Sequence, residues 1–86
     1  MKSITIYTGP TCNYCDAAKR LLIRNNVKFH EIDVTKIEGA MDEMIRKANG
    51  KRTIPQIFFD DQHIGGYDEV RALEKENKLQ DLLKVT

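Results

Sequence analysis

The two cysteines of this chain, Cys12 and Cys15, stand three residues apart in Thr11-Cys12-Asn13-Tyr14-Cys15. A helix beginning there puts both sulfurs on one face, within reach of disulfide geometry. The amides of a first helical turn have no partner within the helix, so they are free to stabilise a thiolate. The chemistry implied is a reversible dithiol. Cys12 is the candidate nucleophile, because it lies nearest the positive end of the helix macrodipole. A free thiol titrates near about 8.5, and such settings bring it to about 3.5–7.5, where it is largely ionised at neutral pH. Cys15, one turn inward, is expected to be shielded and to act as the resolving thiol. Lys19, one turn further on, either assists electrostatically or is an ordinary solvated lysine.

Competing uses of the pair are weaker. A structural disulfide closing so short a ring removes little loop entropy and adds little stability. Zinc needs four ligands, and His30 and His63, the only histidines, lie far outside any His-x₃₋₅-His spacing. Both histidines are expected at the surface or at a sheet edge. Met41 and Met44 recur at helical spacing and read as core rather than as soft metal ligands. No Walker loop, His-Glu-x-x-His or Ser-centred motif is present.

At 86 residues the chain is read as one domain spanning 1–86, too short for a second core. Hydrophobic content of 41% and charged content of 31% are those of an ordinary globular protein. A formal net charge of +1 creates no strong field, so neither nucleic acid nor an anionic membrane is an expected partner. No apolar stretch is long enough for a signal peptide or a membrane span. A cytoplasmic, reducing setting is therefore expected, where a lone cysteine pair is more often catalytic or metal-binding than structural.

The elements that must carry the dithiol follow from periodicity. Ser3 to Thr8 reads as a strand stopped by Gly9-Pro10. Thr11 or Cys12 caps a helix to about Asn25, with Ala18, Leu21 and Leu22 at helical spacing. Val27 to Val34 alternates imperfectly and reads as an edge strand. Ile37, Met41, Met44, Ile45 and Ala48 share one stripe of a second helix, closed by Asn49-Gly50. Gln56 to Phe59 is a third strand, turned by Asp60-Asp61-Gln62 into a fourth, His63 to Gly65. Asp68 is expected to cap a helix carrying Val70 and Leu73, and a last segment adds Leu79, Leu82 and Leu83. The order β-α-β-α-β-β-α makes the first two strands parallel and the last two a hairpin. The fold class is α/β, a mixed four-stranded sheet with helices on both faces.

Thr53-Ile54-Pro55 precedes the third strand, and the bare sequence favours a trans proline there. A resemblance reverses that expectation. Tyr7 to Cys15, then Ala18-Lys19 and Leu21-Leu22, then Thr53 to Phe58, then Gly65-Gly66-Tyr67-Asp68, together resemble a glutaredoxin, closest to the small bacterial dithiol members. The likeness spans nearly the whole chain. It implies a thioredoxin fold with Pro55 in cis, facing the cysteines. It also implies a glutathione groove formed by Tyr14, Lys51, Arg52, Thr53, Ile54, Pro55, Gly66, Tyr67 and Asp68. In that family the backbone at the Ile54 position pairs with the cysteinyl part of glutathione like an added strand. The amides around Tyr67 and Asp68 hold the γ-glutamyl carboxylate at a helix start, and Asp68 meets the α-amino group. Tyr14 lines the groove, and Lys51, with Arg52 beside it, falls near the glycyl carboxylate. Two positions depart from the family pattern. Asn13 replaces the usual proline between the cysteines, freeing a backbone N–H and changing first-turn rigidity. Gly9 replaces a common lysine, which implies weaker glutathione binding or a larger share for Lys51 and Arg52.

The function implied is a glutathione-dependent thiol–disulfide oxidoreductase that reduces protein disulfides and glutathione mixed disulfides through Cys12 and Cys15. Such proteins poise at about −200 to −230 mV. Partners implied are glutathione and disulfide-containing or glutathionylated clients, ribonucleotide reductase among them by family analogy, with the chain itself a monomer. A rival reading is a homodimer holding a [2Fe-2S] cluster on Cys12 and one glutathione thiol per chain, an idea that Asn13 raises. A glutaredoxin-like chain recharged by thioredoxin reductase ranks last, because the carboxy-terminal features of that group are not evident.

Overall fold

Ile4, Ile6 and Thr8 alternate with Thr5 and Tyr7, so one strand presents a different apolar set to each side of a sheet. A computed structural model, which describes residues 2–84, puts that strand, β1 (Ile4–Thr8), inside a four-stranded sheet of order β2-β1-β3-β4. The other strands are β2 (His30–Asp33), β3 (Gln56–Phe59) and β4 (Gln62–Gly65). β1 runs parallel to β2 and antiparallel to β3, and β3 pairs antiparallel with β4. Both sheet edges are therefore short strands, which limits edge-to-edge pairing.

The described residues also form four helices: α1 (Asn13–Arg24), α2 (Ala40–Lys47), α3 (Tyr67–Lys75) and α4 (Leu79–Leu83). On one face Ile4, Ile6, Ile57 and Phe59 pack against Ala18, Leu21 and Leu22 of α1, Val70 of α3, and Leu79 and Leu83 of α4. On the other, Tyr7 and Phe58 pack with Val34 and with Ala40, Met44 and Ala48 around α2. All of β3 is buried, in keeping with a central strand covered on both sides. An Arg24 fork locks α1 to α3. Its Nε and Nη2 donate to the two carboxylate oxygens of Glu74 at 2.9 and 2.7 Å, and Asn25 Nδ2 adds a third bond at 2.7 Å.

Several boundaries differ from the periodicity. β2 starts at His30, because the Val27 N–H is held at 3.0 Å by the Leu22 carbonyl at the end of α1. Val27 joins the core without joining the strand. Ile37 stands outside α2 and is 52% exposed. The Asp33 carboxylate accepts from the Thr35 N–H and hydroxyl, folding residues 33–37 into a turn of their own. Gly39, at φ +81°, then admits the chain to α2. Met41, at 37% exposed, likewise lies off the buried stripe. Gly66 caps α3, so Asp68 sits within the first turn. The Glu69 carboxylate reaches back to accept from the Gly66 N–H at 2.6 Å, the side-chain half of a capping box. A glycine is required at position 65. There φ is +130°, and a β-carbon would run into that carboxylate.

Candidate active site

β1 ends at Thr8, and the short connection through Gly9-Pro10-Thr11 delivers the chain to α1. Cys12 is the residue before the helix, with extended backbone, so its side chain turns back over the first turn. Cys12 Sγ accepts from the Cys15 N–H at 3.2 Å, and the Cys12 carbonyl accepts from the Asp16 N–H at 3.1 Å. The same amide is placed to stabilise the thiolate when the pair is reduced. The structure holds the oxidised form, a Cys12–Cys15 disulfide with Cα atoms 5.2 Å apart. The two sulfurs are unequal. Cys15 is 1% exposed on the buried face of α1, whereas Cys12, just before the helix, is half-buried. Burial therefore makes Cys12 the sulfur that an external thiol or disulfide meets.

The Ile54–Pro55 bond is cis, and the Ile54 carbonyl oxygen lies 4.0 Å from Cys12 Sγ. Beside this contact opens a cleft of about 260 Å³. Lys51, Thr53, Ile54 and Pro55 form one wall, Gly66, Tyr67 and Asp68 at the start of α3 form the other, and Tyr14 closes the cysteine end. The Tyr14 and Tyr67 rings stand 5.9 Å apart across it. Arg52 is exposed and outside the lining. Two lining residues, Gln56 and Glu69, were not singled out in the sequence. Glu69 carries the third-position acid spacing of a capping box, which a glycine cap conceals. Gln56, buried at 2% exposure in β3, has no local pattern to announce it.

Lys19 has a definite place. Its ammonium reaches Glu31 at 3.1 Å and Asp16 at 3.6 Å, so it is neither free in solvent nor aimed at a sulfur. Glu31 also accepts from the buried Thr8 hydroxyl at 2.7 Å. That hydroxyl, with Lys19 adding to it, holds the Glu31 carboxyl below the usual carboxylate range. His30 is exposed on the edge strand β2. His63, on the opposite edge, is half-buried and bonded to Gln56. Among the described residues no group of three or more His, Cys, Asp or Glu side chains is placed to hold a metal ion. Nor is any described helix long and apolar enough to cross a membrane.

The glutaredoxin family model matches residues 4–64, from the first strand through the dithiol and the cis-proline segment. The chain belongs to the glutaredoxin family. Among curated relatives, a probable glutaredoxin of Synechocystis is 49% identical over 80 residues, covering 93% of this chain and 91% of its own. Among solved structures, a glutaredoxin from Brucella melitensis superposes with a TM-score of 0.83 at 43% identity, over 100% of this chain and 96% of that one. A buckwheat glutaredoxin–glutathione complex superposes at 0.84 with 25% identity, over 95% and 76%. The mixed sheet and its helices are thus those of a thioredoxin fold. As a glutaredoxin the chain is a thiol oxidoreductase, with Cys12 and Cys15 as its redox-active pair.

Proposed function

We propose that this glutaredoxin is glutathione-dependent and reduces both glutathione mixed disulfides and protein disulfides. The observation that supports it is the cleft between the Ile54 segment and the first turn of α3, whose wall residue Ile54 also has its carbonyl 4.0 Å from Cys12 Sγ. The Ile54 peptide offers its polar groups to the cysteinyl part of a glutathionyl group, in the manner of an added strand. The amides of Tyr67 and Asp68, free of helical partners, receive the γ-glutamyl carboxylate. Asp68 faces the α-amino group, and Lys51, rather than the outlying Arg52, takes the glycyl carboxylate. That a buckwheat family member was solved with glutathione agrees with this assignment.

In the reaction, the Cys12 thiolate attacks the glutathione sulfur of a mixed disulfide. A Cys12–glutathione disulfide forms, and the client leaves as a thiolate that takes a proton from solvent. A second glutathione thiolate then attacks the glutathione sulfur on Cys12. Oxidised glutathione departs and the Cys12 thiolate returns. On a protein disulfide, Cys12 becomes linked to the client, and the buried Cys15 attacks Cys12 Sγ to release it. This yields the Cys12–Cys15 disulfide, which two glutathiones reduce. The reading extends to a monomer acting in the cytoplasm, with ribonucleotide reductase a client by family analogy.

Turnover of a glutathionylated peptide, driven by glutathione, NADPH and glutathione reductase, tests the reading. Brisk, glutathione-dependent turnover is expected, and its absence from folded, fully reduced protein rejects it. Cys12, only half-buried, is also open to a second use. Two chains and two glutathione thiols would then supply the four thiolates of a [2Fe-2S] cluster. A colourless product after anaerobic reconstitution with iron, sulfide and glutathione rejects that alternative.

A further inference from the structure

Behind the Thr53–Pro55 wall a chain of hydrogen bonds runs to the far edge of the sheet. Gln56 Nε2 donates to the Thr53 carbonyl at 3.0 Å and lies 3.1 Å from the Thr53 hydroxyl. Gln56 Oε1 is paired with His63 Nε2 at 2.7 Å. A carbonyl oxygen only accepts, so the amide nitrogen must face Thr53 and the amide oxygen must face the histidine. His63 Nε2 therefore carries the proton and donates, and a second proton would enter at Nδ1 without breaking the bond. The ring is itself held, because His63 is the cross-strand partner of Phe58 and their ring centres are 5.0 Å apart. Every polar atom of the buried Gln56 amide is thus engaged. Losing the histidine donor leaves Oε1 unpaired at a site only 2% exposed, and rotating the amide to recover a partner breaks its hold on Thr53.

We propose that His63, which does not itself line the cleft, is a positioning residue that fixes the Thr53–Ile54–Pro55 wall through Gln56 and so sets how tightly the site holds a glutathionyl group. This rests on the glutathione reading above. Neither His63 nor Gln56 reaches the sulfurs, so the effect falls on KM and spares kcat.

The test compares kcat and KM for a glutathionylated peptide in the parent protein, His63→Phe and His63→Gln, with Tm measured alongside. Phenylalanine keeps the aromatic contact with Phe58 and removes the donor. Glutamine carries an N–H about as far from the backbone as Nε2 of histidine. His63→Phe is expected to raise KM about tenfold with kcat unchanged, the cost of one buried unpaired acceptor. His63→Gln is expected to return KM to within about twofold of the parent. An unchanged KM in His63→Phe, a fall confined to kcat, or a His63→Gln variant as impaired as His63→Phe overturns the relay. Should His63→Phe not fold, His63→Met, which also lacks the donor and leaves the cleft lining untouched, takes its place: the same rise in KM supports the relay, and a parental KM overturns it. A parent protein without turnover sinks the glutathione reading and the relay with it, whereas an active parent with an indifferent His63→Phe sinks the relay alone.

Discussion

The Cδ1 methyl of Ile54 stands 2.7 Å from the point where a β-carbon on Gly9 would lie. Carbon atoms do not approach so closely, so the loop before the dithiol and the cis-proline segment compete for one space, and any side chain at position 9 must move that methyl. Because Cδ1 is the end of a side chain, a larger residue at position 9 displaces Ile54 before it displaces the backbone.

Gly9→Ala is therefore expected to lose about 1 kcal/mol or less, because the backbone accepts a side chain there and the Ile54 methyl can swing aside. Ile54→Val, which removes the offending methyl, is expected to cost about 0.5–1.5 kcal/mol alone. The pair together should cost less than the sum of the two. Urea denaturation of the four proteins of the cycle measures this, and strictly additive losses would show that the contact carries no energy.

Cys12 and Cys15 are predicted to separate by substrate. Cys12→Ser is expected to have no turnover above background on any disulfide, because the more accessible of the two sulfurs is gone. Cys15→Ser keeps Cys12 and should retain about a tenth or more of the turnover on a glutathionylated peptide, where glutathione itself resolves the intermediate. On a client with an intramolecular disulfide it should fail. Steady-state assays on the two substrate types decide the matter, and residual activity in Cys12→Ser would remove it as nucleophile.

The Arg24–Glu74 fork predicts an acid response. Hydrogen bonds from Arg24 and Asn25 bring the Glu74 carboxyl down from 4.5 to about 2. A depressed carboxyl binds its proton less readily folded than unfolded, so its stabilisation is complete above about 4.5 and is lost as pH falls towards 2. Glu74→Gln is expected to be less stable at neutral pH and to show a shallower loss of stability between those values. Tm against pH for parent and variant is the check, and parallel curves would refute the assignment.

Tyr7 predicts the alkaline counterpart. Burial, followed by the hydrogen bond to Glu43 at 2.9 Å, pushes its hydroxyl up from 10.0 to about 12. A raised phenol keeps its proton longer when folded, so its stabilisation is complete below about 10 and is lost as pH rises towards 12. Of the three tyrosines, spectrophotometric titration should show one ionising last, and Tyr7→Phe should delete that step.

How far each of these features could be read in advance depends on how local its cause is. The helix start at Cys12, the parallel pairing of the first two strands, and the hairpin from Gln56 to Gly65 follow from periodicity and turn residues within a few positions. The same locality misled at Ile37 and Asp68. An Asp33-centred turn and a glycine cap backed by Glu69 overrode a helical stripe and a familiar capping residue. The motif residues Thr53 to Pro55 marked the cleft by resemblance, whereas the residues themselves favoured a trans proline.

By itself the sequence determined the dithiol, the helix that presents it, and the order of strands and helices, because each is set by neighbours within about one turn or one hairpin. Only the tertiary structure decided that Lys19 belongs to Glu31, that Gln56 is bonded to both Thr53 and His63, and that Ile54 stands over Cys12. Cys12 meets a carbonyl 42 residues away, and Arg24 meets a carboxylate 50 residues away. Such meetings are fixed by sheet register and by helix packing across the core, and no spacing along the chain encodes them.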